Sequence, residues 1–449
     1  MARASVILAA GMGTRMKSAR PKVMHAVAGR PILGHVIAAM RGAGVERIVV
    51  VIAPGMDDVR AYADGLGAET VVQDKQLGTG HAALCARQAL GDFGGPILVN
   101  NGDMPLAQSQ MMRESLASAQ THGFSVVAFR PADAAAYGRV ILSGDGLLDR
   151  IVEFKDATQA ERAVDLCCAG TYSAADARKF FAWAARLGNQ NAQGEYYLPE
   201  VAGIAKVDGV RSSVTIADEI TVMGVNSRAE LADAEREMQK RLRAAALENG
   251  AGMTAPETVF LSHDTVLEAD VQIGPHVVFG PGVTVRSGAE IKSFSHLEGA
   301  EVRRGAIVGP YSRLRPGADI GEDAHIGNFV EVKNSKIGKG TKASHLTYLG
   351  DATVGVGANI GAGTITCNYD GFDKHRTEIG DGVFIGSNSA LVAPVTIADG
   401  AYVGAGSIIA KDVAKDALAL TRAGHEHVED WAEKFRTRKR AEKAARDKK

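Results

Sequence analysis

The chain has 449 residues, with 51 Lys and Arg against 52 Asp and Glu, and 46% of it is hydrophobic. This length predicts two or three folded domains, and the charge balance excludes a global cationic field for nucleic acid or an anionic membrane while leaving room for local phosphate sites. The 52 glycines are about 12% of the chain, yet with 13 prolines and no Gly-X-Y period they do not make a collagen. The four cysteines, Cys85, Cys167, Cys168 and Cys367, form neither a CxxC pair nor a disulfide framework, so a cytoplasmic, reducing location is expected. The apolar run from Val6 to Ala10 is too short for a signal segment, and no stretch reaches about 18 apolar residues, so no membrane anchor is expected; the balanced charge gives no reason to expect a nucleic-acid partner.

In chain order, residues 5–10 read as a strand running into a Gly-rich turn, followed by a helix over 34–44 and strands over 45–53 and 96–103. Their near-continuous β-branched runs predict buried parallel strands in an α/β sheet. Ligands in such sheets gather at the carboxyl ends of strands, which makes 11–15 and 100–103 candidates for one pocket. Further strands are expected over 124–129 and 164–172. Residues 227–250 read as one long linker helix, with Ser227 and Glu230 as a capping box and Gly250 as the stop.

After that helix the period changes. Leu261, Leu267, Ile273, Phe279, Val285, Ile291 and Leu297 are six apart; after a five-residue step the register runs from Val302 to Val332 and returns from Ile379 to Ile409. A period of six belongs to neither a helix nor an ordinary strand and predicts a parallel β-helix of about eight coils, with Gly after many inward residues at tight corners. The interruption between Ile360 and Ile379 reads as an insertion looping out on one face, and the basic tail from Phe435 as a solvated or disordered end.

The string LAAGMGTRM at 8–16, followed by Pro21 and Lys22, is a strand, a Gly-rich loop and two cations, a way to bring backbone N–H groups and positive charge to phosphates. It lacks the Walker A and GxGxxG spacings. LGTGHA at 77–82 is a second glycine turn opening a helix, and Asp103 at a strand end is either a hard Mg2+ ligand or a turn residue. Together with NGDMPL, YGR, IVEFKD, GEYYLPE and GVNSR ahead of the long helix and the hexapeptide repeat, these motifs resemble the bacterial bifunctional N-acetylglucosamine-1-phosphate uridyltransferases/glucosamine-1-phosphate acetyltransferases over almost the whole chain.

The resemblance implies a Rossmann-like nucleotidyltransferase domain over 1–226, the linker helix over 227–250 and a left-handed parallel β-helix acetyltransferase domain over 251–449. It implies uridine-nucleotide contacts at Leu8, Ala10, Gly11 and Gly13, base contacts at Gln73, Gly78 and Thr79, and catalytic cations Arg15 and Lys22 at the phosphates. Asp103 and Asn226 are the implied Mg2+ ligands, with Gly138, Glu153, Cys168 and the Asn226 region at the sugar phosphate. Two positions depart from the family: Cys168 stands where related chains usually carry Asn, and Asn101 where they carry Tyr. A thiol cannot reproduce the paired donor and acceptor of an amide.

In the repeat, the resemblance implies Arg315, Lys333, Tyr348, Asn359 and Lys374 around glucosamine-1-phosphate, His345 as general base with Glu331 as a local electrostatic partner, and acetyl-CoA contacts at Asn368, Tyr369, Ser387, Ala405 and Arg422. UTP and acetyl-CoA are the implied co-substrates and a homotrimer the implied assembly. A sugar-phosphate nucleotidyltransferase with a non-catalytic solenoid, and a sugar-nucleotide-binding scaffold, are the competing readings.

Overall fold

The computed structural model describes residues 2–134 and 137–447. They form two compact units: one carries the chain to Glu248 together with Phe260–Thr265, the other comprises Asn249–Val259 and the chain from Val266 onward.

The first unit is built on a nine-stranded sheet of β1 (Ala4–Leu8), β2 (Arg47–Ile52), β3 (Glu69–Val72), β4 (Ile97–Asn101), β5 (Phe124–Phe129), β6 (Arg139–Leu142), β7 (Leu148–Val152), β8 (Cys167–Ala174) and β9 (Ser213–Ile216). Its order is β9-β5-β8-β4-β1-β2-β3, with β6 joined to β8 and β7 to β6. The three strands foreseen over 5–10, 45–53 and 96–103 are parallel neighbours. Ile48 to Ile52 are all buried, as expected of a strand covered on both faces. β8 instead runs antiparallel to both β4 and β5, and its register against β5 shifts between Cys168 and Tyr172. This irregularity re-aims the strand at the carboxyl end of β4, where β-bulges commonly position side chains.

The helix Arg228–Glu248 begins on the capping box foreseen for it. Ser227 Oγ accepts from Glu230 N at 3.2 Å, and Glu230 Oε2 accepts from the backbone N–H groups of Ser227 and Asn226 at 2.8 and 2.6 Å. It is no free spacer, since it packs within the first unit: Gln239, 3% exposed, exchanges hydrogen bonds with the backbone of Leu261, and Glu235 accepts from Ala28 N.

The second unit winds through three parallel sheets of ten, eight and eight strands. Most rungs pair with one 17 or 18 residues onward, as Ile307 with His325 and His325 with Lys342, while rungs on either side of the loop at 368–376 pair across a longer interval, as Ala352 with Thr377 and Asn359 with Phe384. The six-spaced aliphatic residues point inward and are buried, Leu267 alone of the series being half-buried. The insertion is shorter than the period implied, because Ile365–Cys367 is still a rung, paired with Ala390–Val392, and only 368–376 loop out. The rung was hidden by Thr366, fully buried where an aliphatic side chain is expected; its hydroxyl is satisfied by the backbone N–H and C=O of Gly350 at 2.8 and 3.0 Å.

Glycines after inward residues were expected to supply turns, but Gly274, Gly321, Gly327, Gly386 and Gly404 all lack a positive φ. At the first four the requirement is close stacking of coils: a Cβ on Gly321 would stand 2.5 Å from Ile337 O, and one on Gly327 2.0 Å from Ser344 O. Left-handed backbone falls at other glycines, such as Gly282, Gly305 and Gly340, and also at bulky residues, in a column of His276, Phe294, Tyr311 and Phe329. Such residues rarely adopt this conformation, and here their rings stack coil upon coil at 4.9, 4.9 and 5.4 Å.

The described part of the basic tail is a solvated helix. Trp431–Arg446 is an exposed helix, with Trp431 stacked on Phe435 at 5.0 Å and the Arg438 guanidinium over the same ring. Among the described residues no helix is long and apolar enough to cross a membrane.

Gly321→Ala is expected to destabilise the solenoid by about 3 kcal/mol, because the opposing atoms are backbone and cannot swing away. Gly340→Ala, at φ +65° with nothing within 4 Å of its Cβ, should cost only about 1 kcal/mol. Calorimetric unfolding of the two variants checks the ranking; equal losses would remove coil stacking as the cause.

Candidate functional site

At the carboxyl ends of β1 and β4 lies a cleft of about 340 Å³ whose wall includes Leu8, Ala10, Gly11, Lys22, Gln73 and Gly78. A second, of about 270 Å³, is lined by Gly138, Glu153, Cys168, Tyr172 and Asn226, and the two share Leu8, Thr79, Asn101 and Asp103. Most residues singled out in the N-terminal motifs therefore meet in one double cleft. Gly13 and Arg15 line neither part. Gly13, at φ +60°, leaves no room for a side chain, since a Cβ would stand 2.7 Å from the Cβ of Lys22, and Arg15 is exposed on the Thr14–Met16 turn.

Local chemistry holds the walls. Ala10 O accepts from Gln76 Nε2 at 2.7 Å, which anchors the glycine loop. Gln73, 3% exposed, donates through Nε2 to Gly78 O at 3.1 Å and lies 3.0 Å from His81 Nδ1. Gly78, at φ +107°, sits so close to Tyr196 that a Cβ would stand 2.7 Å from its carbonyl, and Thr79 Oγ1 accepts from Leu198 N at 3.1 Å. Gln76 was not foreseen; its signal is a polar side chain in the QDKQ stretch just before the second glycine turn.

Where the clefts join, Lys22 Nζ donates to Asp103 Oδ2 at 2.5 Å and to Asn226 Oδ1 at 2.9 Å. The Lys22 and Asp103 side chains are only 12% and 18% exposed. Two hard oxygens thus converge on one cation at the edge of both clefts. In the second cleft burial, followed by the nearby charges of Asp156 and Glu200, raises the pKa of Glu153. The Cys168 thiol lies 3.3 Å from Tyr172 Oη and accepts from Gly170 N at 3.4 Å, and burial pushes it up to about 11. It stays an uncharged thiol at neutral pH.

On the solenoid, His345 ends the rung Lys342–His345, and its Nδ1 lies 2.7 Å from Asn328 Oδ1 on the preceding coil. Glu331 is committed elsewhere, to Arg315 at 2.8 Å and Arg313 at 3.7 Å. Lys333 and Lys374 stand side by side, and Lys374, followed by burial, holds Lys333 below the usual lysine range. Two adjacent ammonium groups beside Arg315 make a wall suited to an anion. Tyr348 is the rung partner of Glu331, while Asn359 lies on the other face, paired with Lys342.

Asn368 is 7% exposed and hydrogen-bonded to Asp351, whereas Tyr369 is exposed with its hydroxyl on Gly371 O. Ser387, Ala405 and Arg422 stack as an exposed column, with Gly406 N on Ser387 O at 2.8 Å and Arg422 Nε on Ala405 O at 3.0 Å. Asn328 escaped notice in the sequence because only coil stacking brings it to His345.

Comparison with known proteins covers both units. A MobA-like NTP transferase domain matches residues 5–174, and a bacterial transferase hexapeptide model of six repeats matches 376–411. The bifunctional protein GlmU of Rhizorhabdus wittichii is 56% identical over 446 residues, 99% of this chain and 98% of that one. Those of Rhodospirillum rubrum and Maricaulis maris are 55% and 51% identical, covering 97% and 99% of this chain and 98% of each relative. With identity of this order sustained from end to end, the chain belongs to the bifunctional GlmU family, enzymes that join a nucleotidyltransferase to an acetyltransferase.

Proposed function

We propose that this enzyme makes UDP-N-acetylglucosamine in the cytoplasm, the solenoid acetylating glucosamine-1-phosphate from acetyl-CoA and the N-terminal unit then coupling the product to UTP with release of pyrophosphate. The observation that carries this reading is Lys22 bridging Asp103 and Asn226 at the seam of two clefts. Two phosphorylated substrates seated on either side of that seam meet where positive charge is already held.

In the uridylyl step UTP takes the first cleft, with its base toward Gln73, Gly78 and Thr79 and its phosphates toward the glycine loop and Lys22. The sugar phosphate takes the second, against Gly138, Glu153 and Asn226. A sugar-phosphate oxygen attacks the α-phosphorus, the bond to the bridging oxygen breaks, and pyrophosphate leaves with that electron pair. No protein nucleophile is needed; alignment and charge neutralisation carry the step. Asp103 Oδ2 and Asn226 Oδ1 would hold Mg2+: both already converge on one cation, Lys22 Nζ, and a site with few protein oxygens leaves positions for phosphate oxygens and water, as Mg2+ prefers. Bound there, Mg2+ would offset charge on the reacting phosphates.

In the acetyl step Arg315, Lys333 and Lys374 seat the phosphate and the free amine attacks the thioester carbonyl. The C–N bond forms, the C–S bond breaks, and the amine proton passes to His345 as CoA thiolate leaves. Asn328 is a positioning residue: with Nδ1–H donated to Asn328 Oδ1, the lone pair of His345 lies on Nε2. His345, Ser387, Ala405 and Arg422 are exposed on the single chain, which supports completion of this site by neighbouring chains of a homotrimer.

Assays of CoA release with glucosamine-1-phosphate and of pyrophosphate release with UTP and N-acetylglucosamine-1-phosphate test the assignment. His345→Ala should abolish the first and spare the second, and Asp103→Ala the reverse. Loss of both activities in either folded variant would sink the two-site reading. Asn328→Ala should lower kcat for acetyl transfer roughly 10-fold, a part of the ~10²–10⁴ that a positioned base supplies, and alter its pH profile. An unchanged profile would make Asn328 merely structural. Because the pKa of Glu153 is raised in the folded state, its carboxylate opposes folding above that pKa and not below the unfolded value of about 4.3. Glu153→Gln should therefore raise the melting temperature at pH 7, with the gain vanishing as pH falls toward 4, while weakening sugar-phosphate turnover.

A further inference from the structure

In the second cleft the Glu153 carboxyl already faces the place given to the sugar phosphate, and most other polar side chains are engaged within the protein. Asp103 Oδ2 and Asn226 Oδ1 face Lys22, Thr79 Oγ1 accepts from Leu198 N, and Glu230 Oε2 caps the helix start. The Cys168 thiol is engaged with Tyr172 Oη and Gly170 N. A thiol is in any case a weak donor and a weak acceptor.

Asn101 is different. It ends β4, in register with Leu8 of β1, and lines both clefts. Its carboxamide makes no hydrogen bond to any described residue. The backbone beneath is clamped: its carbonyl accepts from the fully buried Asn100 Nδ2 at 2.6 Å, and Asn100 Oδ1 in turn accepts from the Thr171 hydroxyl of β8. The side chain lies over Gly170, at φ +75°, where a Cβ would stand 2.3 Å from Asn101 Nδ2. The space a side chain at 170 would fill is thus occupied by a carboxamide, two residues along β8 from Cys168.

We propose that Asn101 is the specificity-determining residue of the sugar-phosphate cleft, its carboxamide supplying the donors and acceptor that the thiol of Cys168 does not. The ligand class is a hexose 1-phosphate whose ring carries hydroxyl or acetamido groups, which match an amide with two N–H donors and one carbonyl acceptor. A carboxamide on a clamped strand end loses little freedom when it engages a ligand. The proposal rests on the uridylyl-transfer reading above and assigns within it the group that distinguishes one sugar from another.

The test measures pyrophosphate release by the full-length enzyme with UTP, comparing N-acetylglucosamine-1-phosphate with glucose-1-phosphate. Asn101→Ala should raise the KM for the acetylated sugar phosphate about 10-fold, as expected for one lost hydrogen bond of about 1.4 kcal/mol. It should also shrink the preference over glucose-1-phosphate and leave the KM for UTP unchanged. Made in a Cys168→Asn background, the same substitution should cost less than about 3-fold, since a second amide then shares the contact. Asn101→Ser, which keeps a small polar group, should fall between wild type and Asn101→Ala and carries the comparison if the alanine variant does not fold. A sugar-phosphate KM unmoved by either substitution overturns the assignment. So does a rise in the KM for UTP alone, which would give the carboxamide to the nucleotide. A wild-type enzyme inert in uridylyl transfer would overturn the underlying reading and the assignment with it.

Discussion

The Lys22 ammonium held between Asp103 and Asn226 is the contact around which the N-terminal unit is arranged. Its three members come from a loop after β1, the end of β4 and the approach to the Arg228–Glu248 helix, so the sheet, the glycine loop and the helix must all be in place before it closes. The pair is largely withdrawn from solvent, and a withdrawn charge is costly unless matched. Its two oxygens match the ammonium they hold, which makes the group a structural tie between loop, strand end and helix approach.

The helix start shows how structure and chemistry are coupled there. Glu230 Oε2 takes the N–H groups of both Ser227 and Asn226, so the residue that caps the helix also fixes the backbone of the amide facing Lys22. The long helix is then less a spacer than the back of the site, and its burial of Gln239 against Leu261 ties that back to the first unit's own later segment.

The parts most legible in the sequence were those with a strict period or a reciprocal signal. The six-residue repeat announced the solenoid, and Ser227 with Glu230 announced a helix start. The rung Ile365–Cys367 was not legible because buried Thr366 satisfies its hydroxyl on Gly350 backbone and so does not look like a core residue. Likewise a glycine pattern is ambiguous between a turn and a close approach, and only the stacked backbone of Gly321 and Gly327 separates them. In the double cleft the motif residues were visible one by one, but the contact between His345 and Asn328, seventeen residues apart, exists only because one coil lies on the next.

The two units settle the conflict between rigidity and chemistry in opposite ways. The solenoid separates them by alternation: inward residues such as Val332 and Leu349 are fully buried, while their neighbours Glu331, Lys333 and Tyr348 carry charge and hydroxyl outside. An outward substitution there changes chemistry with little consequence for packing. The α/β unit has no such insulation at Cys168, Tyr172 and Gly170, which pack on one another while lining the cleft. A change of chemistry in that wall must also be a change of packing. A small half-buried thiol at 168 meets the packing condition by engaging Tyr172, which leaves the polar condition to a side chain on the neighbouring strand.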